Sequence, residues 1–599
     1  MGTRLGKYTA DNTKCMLSIN GKTLIERALE ALSKAGIKKC IMVVGYKKDN
    51  LMDFIGSRYL DVDITYIAND VYFRTNNIYS LFLAKDYLLQ GDCLLLESDL
   101  IFEDTIIKEL LENPEPTLAV LAKYESWMDG TVVRISDDNI ITSFIPKKLF
   151  NYRDKDTYYK TVNIYKFSKE FLATSYVPFL EAYTKTMGNN EYYEQVLGII
   201  VLLDKKDLKA MILKDHKWYE IDDVQDKDIA ETIFSKNPDD SVRRIESRFG
   251  GYWRFPKLLD FCYLVNPYFP NERLLDELKD NFHTLLSQYP SGLNVQNLLL
   301  GKLFNIDEKN ILAGNGAGEL IHAAAPSIHG KIGIIYPTFN EYYECLKNNG
   351  EIVSFYPPRM PEDMSYNADD LLKWSSQVDA LIVINPDNPS GNFIPAKEIL
   401  RVLDAMKAKN KLLVLDESFV DFSDNGDKET LLQQETLEKY PLLVVIKSLS
   451  KSYGIPGLRL GALASANKEF IAATRKNLPI WNINSFAEYF LQIFGKYSKD
   501  YKAACKLIAT ERSRFKSELE KTGLFKIFPS QANYFLCRLS TKFSAKKLIE
   551  YLLTEHNILI KDLSSKKGLE NGNYIRLAIR NRADNDILIE KLVGFSKTL

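Results

Sequence analysis

Residues 442–451 read LLVVIKSLSK, an aliphatic run that closes on Ser448 and is followed three residues later by Lys451. Three more runs of this kind precede it: KIGIIYP (331–337), ALIVINP (380–386) and KLLVLDE (411–417). Each is short, strongly apolar, and ends at a polar residue or a proline turn, with helical patterns between. Such runs are buried strands, and their alternation with helices predicts a mostly parallel sheet covered on both faces. In sheets of this type chemistry gathers at the carboxyl ends of strands. Asp416, Ser448, Ser450 and Lys451 fall there.

A second strand-helix block precedes this one. KKCIMVVGY (38–46), GDCLLLESDLIF (91–102), TLAVLAKY (117–124) and GTVVRIS (130–136) read as strands, and TNNIYSLFLAKDYLL (75–89) as a helix. The polar stretch SKNPDDSVRRIESRFGG separates the blocks, so the expected domains are 1–234 and 256–599 with a linker at 235–255. A chain of 599 residues requires several domains. Its net charge of −1 argues against a nonspecific nucleic-acid partner. No apolar run reaches the ~18 residues of a membrane span. Seven cysteines without a CxxC pair, and no secretory signal, point to a reducing cytoplasm.

Gly2, Thr3 and Arg4 open the first block and Lys14 follows. Glycine admits phosphate close to backbone N–H groups, and Arg and Lys neutralise it. Asp99 ends a strand, with Glu97 on the same side two residues earlier; Asp222 and Asp223 end HKWYEIDD. Aspartates at strand ends suit Mg²⁺ shared with substrate phosphates, and equally suit turns and helix caps.

Combined, GTRLGKYTADNTKCML, GKTLIERALEAL, TNNIYSLFLAK, WMDGTVV and WYEIDDVQD resemble the sugar-nucleotide and phosphocholine cytidylyltransferase family. Thr13 replaces the usual proline. The resemblance implies a Rossmann-like nucleotidyltransferase domain using CTP, with Gly2, Thr3, Arg4 and Lys14 on the triphosphate, Lys14 catalytic, and Mg²⁺ on Asp99 and Asp222. Asp129, Tyr192 and Glu194 are the expected acceptor contacts; acids there suit an ammonium. Family members carry a strand and a small-residue turn before this glycine. Here Met1 directly precedes Gly2, so a domain lacking its central first strand is expected.

In the second block, a lysine after a strand becomes a Schiff-base former only with a lowered pKa and an aldehyde cofactor. Asp416 stands where a carboxylate could hold a pyridine nitrogen protonated. GNGAGEL (314–320) offers helix N–H groups for a phosphate. The set and its order resemble fold-type I aminotransferases, nearest to histidinol-phosphate aminotransferase and threonine-phosphate decarboxylase. The resemblance implies pyridoxal 5'-phosphate bonded by Lys451, with Asp416 on its ring nitrogen, Phe339 stacked on the ring and Asn388 on the ring oxygen. Ala317, Gly318, Ser448, Ser450 and Arg459 would hold the cofactor phosphate. Tyr289, in QYPSG, would reach a partner subunit's cofactor, implying a homodimer, and Arg576 would bind the substrate's anionic end. The implied fold is a large mixed-sheet α/β domain followed by a smaller α+β domain.

Two residues depart from the aminotransferase pattern: Phe419 stands for a tyrosine and Arg580 for a glycine, both as on the decarboxylase side. Arg580 adds charge for a doubly charged anion. The pairing of blocks resembles bacterial fusions of a phosphonate cytidylyltransferase with 2-aminoethylphosphonate transaminase. It implies amination of phosphonoacetaldehyde followed by formation of CMP-2-aminoethylphosphonate. The alternative is decarboxylation of a phospho- or phosphono-amino acid coupled to cytidylylation of the amine.

Overall fold

The computed structural model describes residues 3–203, 207–360, 362–570 and 572–597, so Gly2 lies outside the described residues. The chain divides into two compact units, Met1–Pro256 and Lys257–Leu599. Both are α/β, as the strand-helix alternation predicts.

In the first unit, Lys39–Val44 pairs in parallel with Val62–Ala68, which also carries the short edge strand Arg58–Tyr59. A second sheet runs in the order Ile141–Ile145, Val132–Ile135, Tyr159–Phe167, Leu118–Lys123, Lys209–Ile212, and Cys93–Leu96 joins it through Tyr159–Phe167. Lys39–Val44 and Cys93–Leu96 thus belong to different sheets, and each pairs along one edge only among the described residues. Leu118–Ala122 is buried throughout, whereas Cys93–Leu96 is only half-buried despite its apolar sequence. GDCLLLESDLIF forms two strands rather than one, because the chain turns at Ser98–Asp99 before Leu100–Phe102 pairs with Trp218–Glu220. The helix Leu24–Lys34 starts at a capping box between Thr23 and Glu26 and buries Leu24, Ile25, Leu29 and Leu32.

Residues 235–255, expected as the linker, carry a helix over Pro238–Ser247. Asn237 caps it, Pro238 takes the first turn, and Asp239 and Asp240 face the positive helix end. Ser241 Oγ donates to Thr232 O at 2.9 Å and Arg244 pairs with Glu231 at 3.1 Å, so the helix is fastened to Val224–Ile233 of the first unit.

The second unit holds a seven-stranded sheet in the order Ile311–Asn315, Leu460–Ala464, Leu443–Ser448, Leu412–Asp416, Ala380–Ile384, Gly330–Ile335, Gly350–Phe355. Leu460–Ala464 is antiparallel to both neighbours and the other pairings are parallel. Ala380–Ile384 and Leu443–Ser448 are buried from end to end, which is why they read as unbroken aliphatic runs. A smaller antiparallel sheet follows, in the order Phe525–Ile527, Tyr534–Leu539, Tyr574–Ala578, Lys561–Asp562.

An N-terminal arm locks onto the turn that bears Lys451. Asn266 N donates to Lys451 O at 2.9 Å and Asn266 Nδ2 to Ser452 O at 3.0 Å. Gly454 has φ +64°, and a Cβ there would stand 1.7 Å from Phe269 O. Gly454→Ala should therefore cost at least about 1–3 kcal/mol from backbone strain alone. Urea unfolding followed by circular dichroism checks this. An unchanged midpoint would mean that the arm does not lock this turn.

Candidate active sites

The second unit gathers its polar residues where the strand ends predict. Asp416 closes Leu412–Asp416 and is buried. Its Oδ1 accepts from Ser418 N at 2.9 Å and its Oδ2 from Tyr342 OH at 2.9 Å. Lys451 lies in the short helix Leu449–Ser452. Its Nζ stands 4.2 Å from the Phe419 ring centre and 5.6 Å from that of Phe339. Burial pushes the amine down to about 8; Asp416 opposes the shift, while Arg576 and Arg459 add to it. A lysine so tuned carries an appreciable neutral fraction near pH 7, the form that attacks an aldehyde.

One side of the pocket is a phosphate cradle. The helix Gly316–Ala324 presents the N–H groups of Ala317 and Gly318. Ser448 ends its strand, and Ser450 Oγ accepts from Leu460 N at 3.3 Å. Gly316, with φ +78°, lets Arg459 close in: a Cβ there would lie 2.7 Å from Arg459 Nη2. Gly461 is equally confined, its Cβ position lying 2.7 Å from Ala317 N. Backbone N–H groups, two serines and a guanidinium around a space that side chains are kept out of fit a phosphate monoester. The lysine, the carboxylate and Phe339 fit an aldehyde-bearing pyridine ring. These residues could hold pyridoxal phosphate.

Asn388 is buried, and its Oδ1 accepts from Arg576 Nη1 at 2.7 Å. Arg576 Nη2 donates to Cys262 O at 2.9 Å, and its buried Nε has no partner. Arg580, expected on substrate, is otherwise engaged. Its Nε bonds Asp584 at 2.8 Å and its Nη1 donates to Asp260 O at 2.8 Å, so it fastens the C-terminal helix to the arm. Tyr289 is 79% exposed, its ring centre 4.6 Å from that of Trp481. Tyr342, which holds Asp416, escaped the sequence reading. The signal was its place three residues after Phe339, across one helical turn.

The first unit draws Lys14, Asp99 and Asp222 together. Lys14 Nζ lies 2.6 Å from Asp99 and 2.8 Å from Asp222, and Arg4 reaches Asp222 at 3.2 Å. Burial opposes protonation of Lys14, but the two carboxylates outweigh it and raise the amine above the usual lysine value. Asp99 Oδ1 is buried without a partner. Two carboxylates bridged by an ammonium, one oxygen unpaired, fit a divalent cation shared with a nucleotide. Thr3 opens the turn Thr3–Tyr8 that carries Arg4.

Beside this pair lies a buried acid cluster. Carboxylate oxygens of Glu97, Asp99 and Glu220 lie within 4.8 Å of one another. Glu220 meets the buried Lys160 at 3.2 Å, yet burial still pushes its carboxyl up to about 7. Glu97 is raised well above the carboxylate range by burial and by Asp99, Glu194 and Glu220. Glu194 is raised too, chiefly by burial. The buried hydroxyls of Tyr165 and Tyr193 face one another beside the same cluster.

Tyr192 and Asp129 stand outside the buried acid cluster, Asp129 within electrostatic reach of Arg4. Tyr192 is 52% exposed, while Tyr193 next to it is buried, because the turn into the helix Glu194–Leu202 swings residue 193 inward. Asp129 takes Lys147 Nζ at 2.7 Å and Gly130 N at 2.8 Å. Glu194 alone of the three joins the acid cluster.

The fold and its lysine pocket define a pyridoxal-phosphate unit behind a nucleotidyltransferase unit. The family model "Aminotransferase class I and II" matches residues 272–592, and the chain belongs to this family. Residues 1–154 match the "MobA-like NTP transferase domain" and form an N-terminal domain of that kind. The chain is 28% identical over 592 residues to CMP-5'-(3-aminopropyl)phosphonate synthase of Streptomyces rubellomurinus, covering 98% of this chain and 92% of that protein. It is 32% identical over 359 residues to L-serine phosphate decarboxylase of Sulfurospirillum multivorans, covering 57% of this chain and 90% of the relative. Among solved structures, histidinol-phosphate aminotransferase from Clostridium acetobutylicum is 28% identical with a TM-score of 0.52, covering 57% of this chain and all (100%) of that one. The chain is thus a fused enzyme of the nucleotidyltransferase and aminotransferase classes.

The low pKa of the Lys451 amine makes a kinetic prediction. Binding of pyridoxal phosphate to the cofactor-free protein should speed up as pH rises toward about 8 and then level off, as the amine loses its proton. Visible absorbance of the bound cofactor follows this. A rate that keeps climbing to the usual lysine range would refute a lowered pKa.

Proposed function

We propose that this enzyme makes a small phosphorus-bearing amine and activates it as a cytidylyl derivative. The pyridoxal-phosphate unit removes CO₂ from a phospho- or phosphono-amino acid. The nucleotidyltransferase unit then joins the amine's phosphorus oxygen to CMP from CTP, releasing pyrophosphate. Phe419 carries the decarboxylase reading. It puts a bare ring 4.2 Å from Lys451 Nζ, where the resemblance to aminotransferases calls for a hydroxyl. The serine phosphate decarboxylase relative agrees with it. Transamination of phosphonoacetaldehyde to 2-aminoethylphosphonate is the second reading, favoured by the likeness to histidinol-phosphate aminotransferase.

When bound, pyridoxal phosphate supplies the electron sink that stabilises negative charge at the substrate α-carbon. Asp416 would hold its ring nitrogen, Phe339 its ring face and Asn388 its ring oxygen, and Ala317, Gly318, Ser448, Ser450 and Arg459 would take its phosphate. Lys451 would hold its aldehyde, and the Lys451 amine would return a proton to the substrate α-carbon that CO₂ leaves. Arg576 orients the substrate's anionic end. Tyr289, exposed in one chain, reaches the partner's pocket in a homodimer.

In the first unit, Asp99 and Asp222 would hold Mg²⁺, with Lys14 and Arg4 turned to the nucleotide. Thr3, Arg4 and Lys14 position the triphosphate for in-line attack. Glu194, with Glu97, receives the acceptor's ammonium, and the cation would draw both carboxyls back to their charged forms. Free cysteines and the absence of a membrane-spanning helix among the described residues agree with a cytoplasmic setting.

Two variants separate the steps. Lys451→Ala should abolish CO₂ release and leave cytidylyl transfer to supplied amine intact. Asp99→Asn should lower pyrophosphate release by at least about 10²-fold and leave CO₂ release intact. Product assays with a carboxyl-labelled phospho-amino acid and CTP decide this. Amino-group transfer to phosphonoacetaldehyde without CO₂ release from any phospho-amino acid would install the second reading instead. Acceptor choice gives a further check. A primary ammonium donates hydrogen bonds to Glu97 and Glu194 and a quaternary one cannot, so kcat/KM should be higher for 2-aminoethylphosphonate than for phosphocholine. The reverse order would remove the acid cluster from acceptor recognition.

A further inference from the structure

Behind the lysine pocket, two packed helices bring three metal-binding side chains together. His322 lies in the last turn of Gly316–Ala324, and Glu341 and Cys345 lie in Asn340–Leu346. Four residues apart, Glu341 and Cys345 share one face of their helix. Leu320, Ile321 and Ala324 of the first helix and Tyr342 and Leu346 of the second belong to one apolar core, which holds the helices side by side. Cys345 is half-buried against that core, and His322 is exposed. Both helices serve the cofactor pocket. The first presents the N–H groups of the phosphate cradle, and the second follows Phe339 and carries Tyr342, whose hydroxyl holds Asp416.

The three ligand atoms lie within 4.8 Å of one another. His322 Nε2 stands 2.7 Å from Glu341 Oε1, and Cys345 Sγ 3.9 Å from the same oxygen. Around tetrahedral zinc, bonds of about 2.0–2.3 Å put neighbouring ligand atoms about 3.3–3.8 Å apart. The two measured separations bracket that range, within reach of side-chain rotation. A histidine–glutamate pair by itself is an ordinary surface contact; the sulfur one helical turn further on makes it a set of three. Imidazole, carboxylate and thiolate are the donor types of zinc, whereas Mg²⁺ takes oxygen alone, so this set is chemically distinct from Asp99 and Asp222. The charge around the sulfur also calls for a cation. Burial first, then Glu341 and Glu344, keep the Cys345 thiol protonated. Glu344 pairs with Lys347, which leaves Glu341 as the carboxylate of the set. As zinc bonds the sulfur, the thiol proton passes to solvent.

We propose that His322, Glu341 and Cys345 form a zinc site that fastens the phosphate-cradle helix to the helix bearing Tyr342. Three protein ligands leave the fourth position to water, on the exposed side of His322. The site stands apart from the proposed reaction: it touches no substrate, and it acts on the second unit by holding two walls of its cofactor pocket together.

The test uses the full-length, cofactor-loaded protein, with zinc ion as the probe and excess Mg²⁺ present to occupy the first unit. Zinc affinity is measured by competition with a chromophoric chelator, and the ligands are read by X-ray absorption at the zinc edge. The wild type should show sulfur at about 2.3 Å and nitrogen or oxygen at about 2.0–2.2 Å. Cys345→Ser should remove the sulfur shell. Cys345→Ser and His322→Gln should each weaken zinc by at least about 10²-fold, since even outer-shell partners of zinc ligands are worth 10–100-fold. His322 is exposed, so its replacement leaves the core intact. Asp99→Asn should leave zinc affinity unchanged. Zinc should also raise the urea midpoint of the wild type, followed by circular dichroism, and not that of His322→Gln. A zinc edge without sulfur, undiminished affinity in both site variants, or a wild-type midpoint that zinc does not move overturns the proposal.

Discussion

In the second unit everything turns on an amine held in a dry pocket between one carboxylate and two guanidiniums. Desolvation makes the charged form of Lys451 expensive, and Arg459 and Arg576 make it more so; Asp416 alone favours it. The surrounding structure maintains this imbalance. Four strands end in the pocket, the arm from Asn266 to Phe269 clamps the lysine turn, and Gly316 lets Arg459 reach the helix end without collision. Tyr342 and Ser418 fix both oxygens of Asp416, so that the carboxylate keeps one orientation.

The first unit solves the opposite problem, a surplus of acids. Glu97, Asp99, Glu194, Glu220 and Asp222 crowd one region, with Arg4, Lys14 and Lys160 among them. Lys14 occupies the gap between Asp99 and Asp222, where nucleotide-bound metal would bring charge of the same sign. The inner acids lie in an aromatic shell in which burial raises their carboxyls. The proposed acceptor, a primary ammonium, would bring these acids both charge and hydrogen bonds.

Local patterns made much of this legible. Four of the seven strands of the second unit's large sheet are legible because buried parallel strands leave unbroken aliphatic runs, and the lysine turn, Asp416, Asn388, Arg459 and the glycine-rich helix start stand out by their resemblance to the aminotransferase pattern. What eluded the sequence depends on distant segments or on phase. The acid cluster joins residues 97, 160, 194 and 220. Tyr193 rather than Tyr192 turns inward because of where one helix begins. Arg580 is taken up by Asp584 one turn later. The helix at 238–247 was hidden by its polar composition, although Asn237 and Pro238 are ordinary start signals.

In the proposed sequence one chain both makes and activates its amine. Mass spectrometry of the wild-type protein supplied with pyridoxal phosphate, CTP, Mg²⁺ and a phospho-amino acid labelled at its carboxyl carbon decides this. Labelled CO₂ is expected together with an unlabelled cytidylyl amine, formed without added amine. A cytidylyl product that retains the label, with no CO₂ released, would contradict it.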